Sequence, residues 1–147
     1  MSGREDPLIG FNFALEVQGA ISGYFTEVSG LGSSNEVIEH KVVNDKGQES
    51  VMKIPGRLTW DDITLKRGVT SNLDAWDWRQ QVVSGDMDGA RKNGSIIMFD
   101  RNFTEVARYN FENGWPSSYA GGEVSSEGDN IVIEEITIAH EGLIRKT

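Results

Sequence analysis

The 147-residue chain contains no cysteine, which excludes disulfides, thiolate nucleophiles and cysteine-ligated zinc. Its two histidines, His40 and His140, are a hundred positions apart and form no HxxxH-type pair. Cations are also scarce: 14 Lys and Arg stand against 23 Asp and Glu, for a formal charge of −9. The Lys and Arg are scattered, so there is no basic stripe of the kind that phosphate binding needs, and direct nucleic-acid recognition is not expected. No run of eighteen apolar residues occurs, and MSGREDPLIG lacks the apolar core of a signal peptide. The expectation is a chain made in the cytoplasm without a signal peptide, and with no stable membrane insertion of its own.

Catalytic and cofactor motifs are missing as well. The serines sit in turns without a GxSxG elbow, and Lys66-Arg67-Gly68 is not a phosphate loop. Asp86 and Asp88 alternate as in a calcium loop, but Gly89 comes too early and no closing Glu follows. Asp61-Asp62 and Glu134-Glu135 are sequence neighbours, so on strands each pair points to opposite faces and cannot share a proton. His140, in an apolar phase beside Glu141, reads as a buried histidine bonded to backbone. No catalytic, metal or cofactor site is expected, and no enzyme.

What the chain does have is glycine, 17 residues against 3 prolines, spread along its length as many strand-to-strand turns require. Phe11, Phe13, Leu15 and Val17 alternate with polar residues in one half-buried strand, and Ile21 to Val28 suggests a second. Ser29 to Asn35 reads as a break. Glu36 to Val43 and Glu49 to Ile54 flank the turn signal Asn44-Asp45-Lys46-Gly47 and predict a long hairpin, ended by Pro55-Gly56. Charges at Glu36, Glu39, Lys41, Glu49 and Lys53 on a β-branched backbone leave no side of it plainly core.

The strand at Ile63 and Leu65 then leads into one helix, expected from near Ser71 to Gly85. Leu73, Trp76, Gln80 and Val83 form one stripe, Trp78 and Val82 a neighbouring one, and Leu73, Trp76, Trp78 and Val82 are the expected packing residues against a sheet. A Gly-rich and Asp-rich loop, GDMDGARKNG, follows. Ser95 to Phe99 and Phe103 to Phe111 read as strands, Asn113 to Pro116 as a turn, and Tyr119 to Asn130 as a second break. The last strand, from Ile131, is apolar on both faces over part of its length and is expected to be central.

These residues resemble a known family. SGYFTEVSGL at Ser22–Leu31, KIPGRLTWDDITLKRGVTSNLDAWDW at Lys53–Trp78, SIIMFD, RYNFENGWPSSY at Arg108–Tyr119 and AHEGL at Ala139–Leu143 are similar, in order and spacing, to tail tube proteins of contractile phage tails. The inner tube proteins of extracellular contractile injection systems belong to the same family. The resemblance implies a mainly β fold: an antiparallel β-sandwich or partly open barrel with one flanking α-helix, completing a ring-wide β-barrel in a hexamer. It implies a single domain over residues 1–147, with a loose arm at residues 1–7 and an assembly hairpin at residues 36–54.

The partners implied are other copies of the chain in stacked hexameric rings, a surrounding sheath protein, baseplate and tip proteins, and cargo in the lumen. Hairpin residues Glu36, Val37, Ile38, Glu39, Lys41, Val42, Val43, Glu49, Val51, Met52, Lys53 and Ile54 would make the subunit and ring contacts. The particle would be released from the cell or remain intracellular or membrane-anchored. The family commonly has Ala where this chain has Gly114, and Gly-Pro where it has Gly121-Gly122. Two other readings are a ring-forming tube protein of type VI secretion, and a monomeric β-sandwich in which Trp60, Trp76, Trp78 and Trp115 bind carbohydrate.

Overall fold

The structure is a computed structural model, and it describes residues 12–69, 71–124 and 132–147. The strands are β1 (Asn12–Val17), β2 (Ile21–Phe25), β3 (Glu27–Ser29), β4 (Ser33–Val43), β5 (Glu49–Trp60), β6 (Ile63–Gly68), β7 (Lys92–Phe99), β8 (Glu105–Val124), β9 (Val132–Ala139) and β10 (Gly142–Arg145), with helices α1 (Asp74–Val83) and α2 (Met87–Ala90) between β6 and β7. The fold is mainly antiparallel β.

Among the described residues, eight strands form one sheet, in the order β2-β1-β7-β8-β9-β6-β3 with β10 added on β8, while β4 and β5 pair only with each other. The two ends of this path, β2 and β3, are separated in sequence only by Thr26, whose N–H donates to the carbonyl of Lys66 at 2.9 Å. The sheet therefore curls back on itself as a partly open barrel, which leaves fewer exposed edges than a flat sheet would.

β8 makes this curl possible. Its first half, up to Gly114, pairs with β7, and its second half, from Trp115, pairs with β9. At the crossover Asn113 takes φ 50°, a left-handed conformation that Asn tolerates better than most residues. The expected turn at Asn113–Pro116 and the break beginning at Tyr119 are thus corrected: both lie in a single 20-residue strand that reaches Val124. Bulges between Pro116 and Ser118 and between Ala120 and Glu123 absorb the proline and the glycines.

The core sits inside the curl. Leu15, Phe25, Ile63, Leu65, Ile96, Phe111, Ile136 and Ile138 are buried there, each worth roughly 1.5–3 kcal/mol of transfer free energy. β9 lies between β6 and β8, the central position expected for the last strand. Phe111 explains the departure at Gly114. A Cβ there would collide with the Phe111 ring, and one at Gly94 would lie 2.5 Å from the same ring, so two glycines make room for one phenyl group.

Other boundaries also differ from expectation. Ser33–Asn35 belong to β4 instead of a break, and β5 runs through Pro55-Gly56 to Trp60. A bulge between Asn35 and Val37 accommodates the proline on this two-stranded arm. The helix begins at Asp74, not Ser71. Asn72 Oδ1 accepts the Asp74 N–H at 3.1 Å and Asp74 Oδ1 accepts the Ala75 N–H at 2.7 Å, so side chains other than Ser71 satisfy its first donors. It stops as expected at Gly85, φ 93°. Inside the loop after it, Asp86 caps the short α2 by accepting the Gly89 N–H at 3.0 Å. Phe11, Thr70, Ile131 and the arm at residues 1–7 lie outside the described residues.

Candidate assembly interface

The hairpin of β4 and β5 is built from its turn outward. Asn44 Oδ1 accepts the N–H groups of Lys46 and Gln48, both at 2.9 Å, and its amide donates to Gln48 Oε1 at 2.8 Å. Gly47 supplies the positive φ, 74°, that closes the loop. This turn fixes the register so that Val43 faces Glu49, Lys41 faces Val51, Glu39 faces Lys53 and Ile38 faces Ile54. An arm whose longer side has 12 residues extends roughly 40 Å at the usual strand rise. Apart from Val42, Gly56 and Trp60, its residues are exposed.

Directly opposed residues in an antiparallel pair project to the same side. One side of the arm therefore carries Ile38, His40 and Val42 with Ser50, Met52 and Ile54. The other carries Val37, Glu39, Lys41 and Val43 with Glu49, Val51, Lys53 and Pro55. Glu36 sits at the bulge. All four formal charges of the paired region fall on the second side, a separation that is hidden when each strand is read alone.

The root of the arm is anchored. Gly30 has φ 84°, and a Cβ there would run into the backbone carbonyl of Asp62. The Asp61 N–H donates to Gly32 O at 3.0 Å, and the carbonyl of Asp61 accepts from His140 Nε2 at 3.0 Å. The His140 ring also lies 5.9 Å from that of Trp60. His140 is accordingly half-buried and bonded to backbone.

The helix residues separate into two groups. Trp78 is buried and donates from Nε1 to Ala90 O at 2.8 Å, and Val82 is half-buried. Leu73 and Trp76, expected to pack, are 60% and 46% exposed in the single chain. The helix seats itself instead on Ala75 and Trp78, which turns the Leu73–Trp76–Val83 stripe outward. Trp76 still meets Tyr119 edge to face, with centroids 5.3 Å apart. An aromatic platform for carbohydrate needs at least two exposed tryptophans, yet of the four only Trp76 is exposed.

A buried ionic cluster escaped the sequence reading. Arg67 donates from Nε to Glu134 Oε1 at 2.5 Å and from Nη2 to Asp74 Oδ1 at 2.6 Å, while the Tyr119 hydroxyl donates to Glu134 Oε2 at 2.6 Å. The guanidinium lies 4.6 Å from the centroid of the Phe25 ring. Burial alone would lower the Arg67 pKa, but the two carboxylates raise it, so the side chain stays charged. The cluster fastens the first turn of α1 to β6, β8 and β9. The signal was phase: Arg67 follows Ile63 and Leu65 on the inward side of β6, and Glu134 precedes Ile136 and Ile138 on the inward side of β9.

The chain is thus a curled β body that holds out an exposed two-stranded arm. The T4-like virus tail tube protein gp19 family matches residues 10–144, and the chain belongs to that family.

Solved structures share the fold. A chain in the extended sheath–tube complex of the extracellular contractile injection system PVC is 25% identical, with TM-score 0.74, covering 97% of this chain and 93% of that one. A chain in the anti-feeding prophage tube-terminating cap is 20% identical, with TM-score 0.71, covering 100% and 95%. Hcp1 from Flavobacterium johnsoniae is 15% identical, with TM-score 0.58, covering 91% and 94%. The search of curated proteins returned no match. The chain is a tail tube protein of contractile injection systems.

Proposed function

We propose that this chain builds the inner tube of a contractile, phage-tail-like particle as six-membered rings stacked head to tail. Strands of neighbouring subunits join around each ring into a common inner barrel, and the arm of β4 and β5 reaches the adjacent ring. A sheath surrounds the tube, a baseplate and tip close it, and sheath contraction drives it through a target envelope. The work is mechanical, and the subunit makes and breaks no bond.

The observation that carries this reading is the arm. A long pair of strands with exposed apolar side chains and free edges is a liability for a solitary protein and a joint for a polymer. A head-to-tail contact whose rotation closes gives a ring, and axial stacking then gives an open-ended tube. The net charge of −9 suits a channel that lets nucleic acid or acidic cargo pass without sticking.

Negative-stain microscopy of the purified chain, alone and with its sheath and baseplate partners, tests the reading. Rings or tubes are expected. A compact monomer under every one of these conditions would overturn it. Replacing both Val42 and Val51 with Asp is expected to leave a folded chain that forms no tubes, and tubes formed by that variant would remove the arm from the interface.

A further inference from the structure

The register of the arm separates its two sides by charge, and this carries the tube reading, on which the inference rests, one step further. We infer that the side bearing Ile38, Val42, Met52 and Ile54 is the one covered by a second copy of the chain, while the side bearing Glu39, Lys41, Glu49 and Lys53 stays in contact with water.

Three observations support the assignment. First, the paired stretch places every one of its formal charges on one side. Desolvating four charges costs far more than desolvating Ile, Val and Met together with the neutral polar groups of His40 and Ser50, so contact through the side free of Lys, Arg, Asp and Glu is the arrangement with the smaller penalty. Second, the described residues of the chain leave most of that side open: Ile38 and Met52 are each 51% exposed and Ile54 is 38% exposed, with Val42 half-buried. Third, it is continuous and shaped at its inner end. A Cβ on Gly56 would lie 2.9 Å from Ile38 Cδ1, so the missing side chain at Gly56 leaves room for that of Ile38. The occupant follows from the proposed function: in a tube built of this subunit, the surface that every copy meets is another copy.

The opposite side fits a wet location. Glu39 directly opposes Lys53, and Glu49 and Lys41 lie along the same surface, which gives a nearly neutral, well-hydrated lining. Such a lining suits a channel wall or a solvent-filled gap between rings.

The lack of cysteine provides the test. Single-cysteine variants Met52→Cys and Val42→Cys report one side, and Val51→Cys and Val43→Cys the other. Each is mixed at one part in about ten with unmodified chain, so that assembly is set by the unmodified subunits, and is labelled with a small water-soluble maleimide. Unassembled chain calibrates intrinsic reactivity and shows that each variant folds. In tubes, Met52→Cys and Val42→Cys are expected to label at least tenfold more slowly than in unassembled chain, and Val51→Cys and Val43→Cys within about twofold of it. Equal protection on both sides, equal labelling on both, or the reverse pattern overturns the side assignment and leaves the tube reading standing. Failure of the unmodified chain to assemble under any condition overturns the tube reading and this inference together.

Discussion

The hydroxyl of Tyr119 donates a 2.6 Å hydrogen bond to Glu134, a carboxylate that is only 4% exposed and is already paired with Arg67. Burial, then the bond to Glu134 and its charge, push the Tyr119 pKa up to about 12. The phenol of the unfolded chain titrates near 10. A folded pKa above the unfolded one favours the protonated form, so this stabilisation is fully present below about pH 10 and disappears as the pH climbs towards 12. Urea unfolding across that window should show an alkaline loss of stability. Tyr119→Phe should lower stability by about 1.5–3 kcal/mol at neutral pH, the usual range for a bond to a charged acceptor, and should flatten this alkaline loss.

Arg67 stands between two carboxylates, and its side chain is 8% exposed. Arg67→Met fills similar space but leaves the buried Glu134 and the half-buried Asp74 without their cation. Removing one partner of a buried ion pair costs about 3–5 kcal/mol. Denaturant midpoints should fall accordingly, and amide exchange should speed up first in Asp74–Val83, because the Asp74 contact is what fastens the start of the helix. Unchanged exchange there would mean that Trp78 alone holds α1.

Much of this fold was legible in the sequence because alternation is a local signal. Ile63 and Leu65, or Ile136 and Ile138, announce a buried side wherever the partner strand lies. Arg67 and Glu134 share those phases, yet a charged residue in an apolar phase reads as the end of the pattern until its partner is known, and the partner is 67 positions away. The long β8 was hidden for the opposite reason. Asn113, Gly114 and Pro116 are turn residues by local chemistry, and only the need to bridge β7 and β9 makes them a bend within a strand. Leu73 and Trp76 stay exposed in the single chain because two apolar stripes were available and Trp78, with Ala90 to bond, takes the inward place. The two sides of the arm required the register, which depends on the Asn44–Gln48 hydrogen bonds and not on composition.

Gly30 is where the arm joins the body. Its φ of 84° is poorly tolerated by other residues, and a Cβ would overlap the carbonyl of Asp62. Gly30→Ala adds a steric clash to a left-handed penalty of roughly 1–2 kcal/mol. Thermal unfolding should shift down by several degrees. The loss should be larger than for Gly47→Ala, which also has positive φ but whose Cβ would meet nothing within 4 Å. Equal effects would show that the packing on Asp62 contributes little.

Met52 and Val51 are neighbours in the chain, exposed to nearly the same degree, 51% and 53%, yet they project to opposite sides of the arm. Comparing Met52→Asp with Val51→Asp therefore separates where a charge is placed from how strongly the substitution perturbs a lone strand. In the isolated chain both carboxylates are in water, so both variants should unfold within about 0.5 kcal/mol of the parent, as surface changes usually do. In an assembled tube the carboxylate at position 52 would be desolvated in every subunit, facing His40 across the pair with no Lys or Arg on that side. The one at position 51 would remain hydrated, facing Lys41 across the pair. Sedimentation and microscopy should find Met52→Asp unassembled and Val51→Asp still forming tubes, with the contrast persisting at high salt because a buried charge is screened much less than an exposed one.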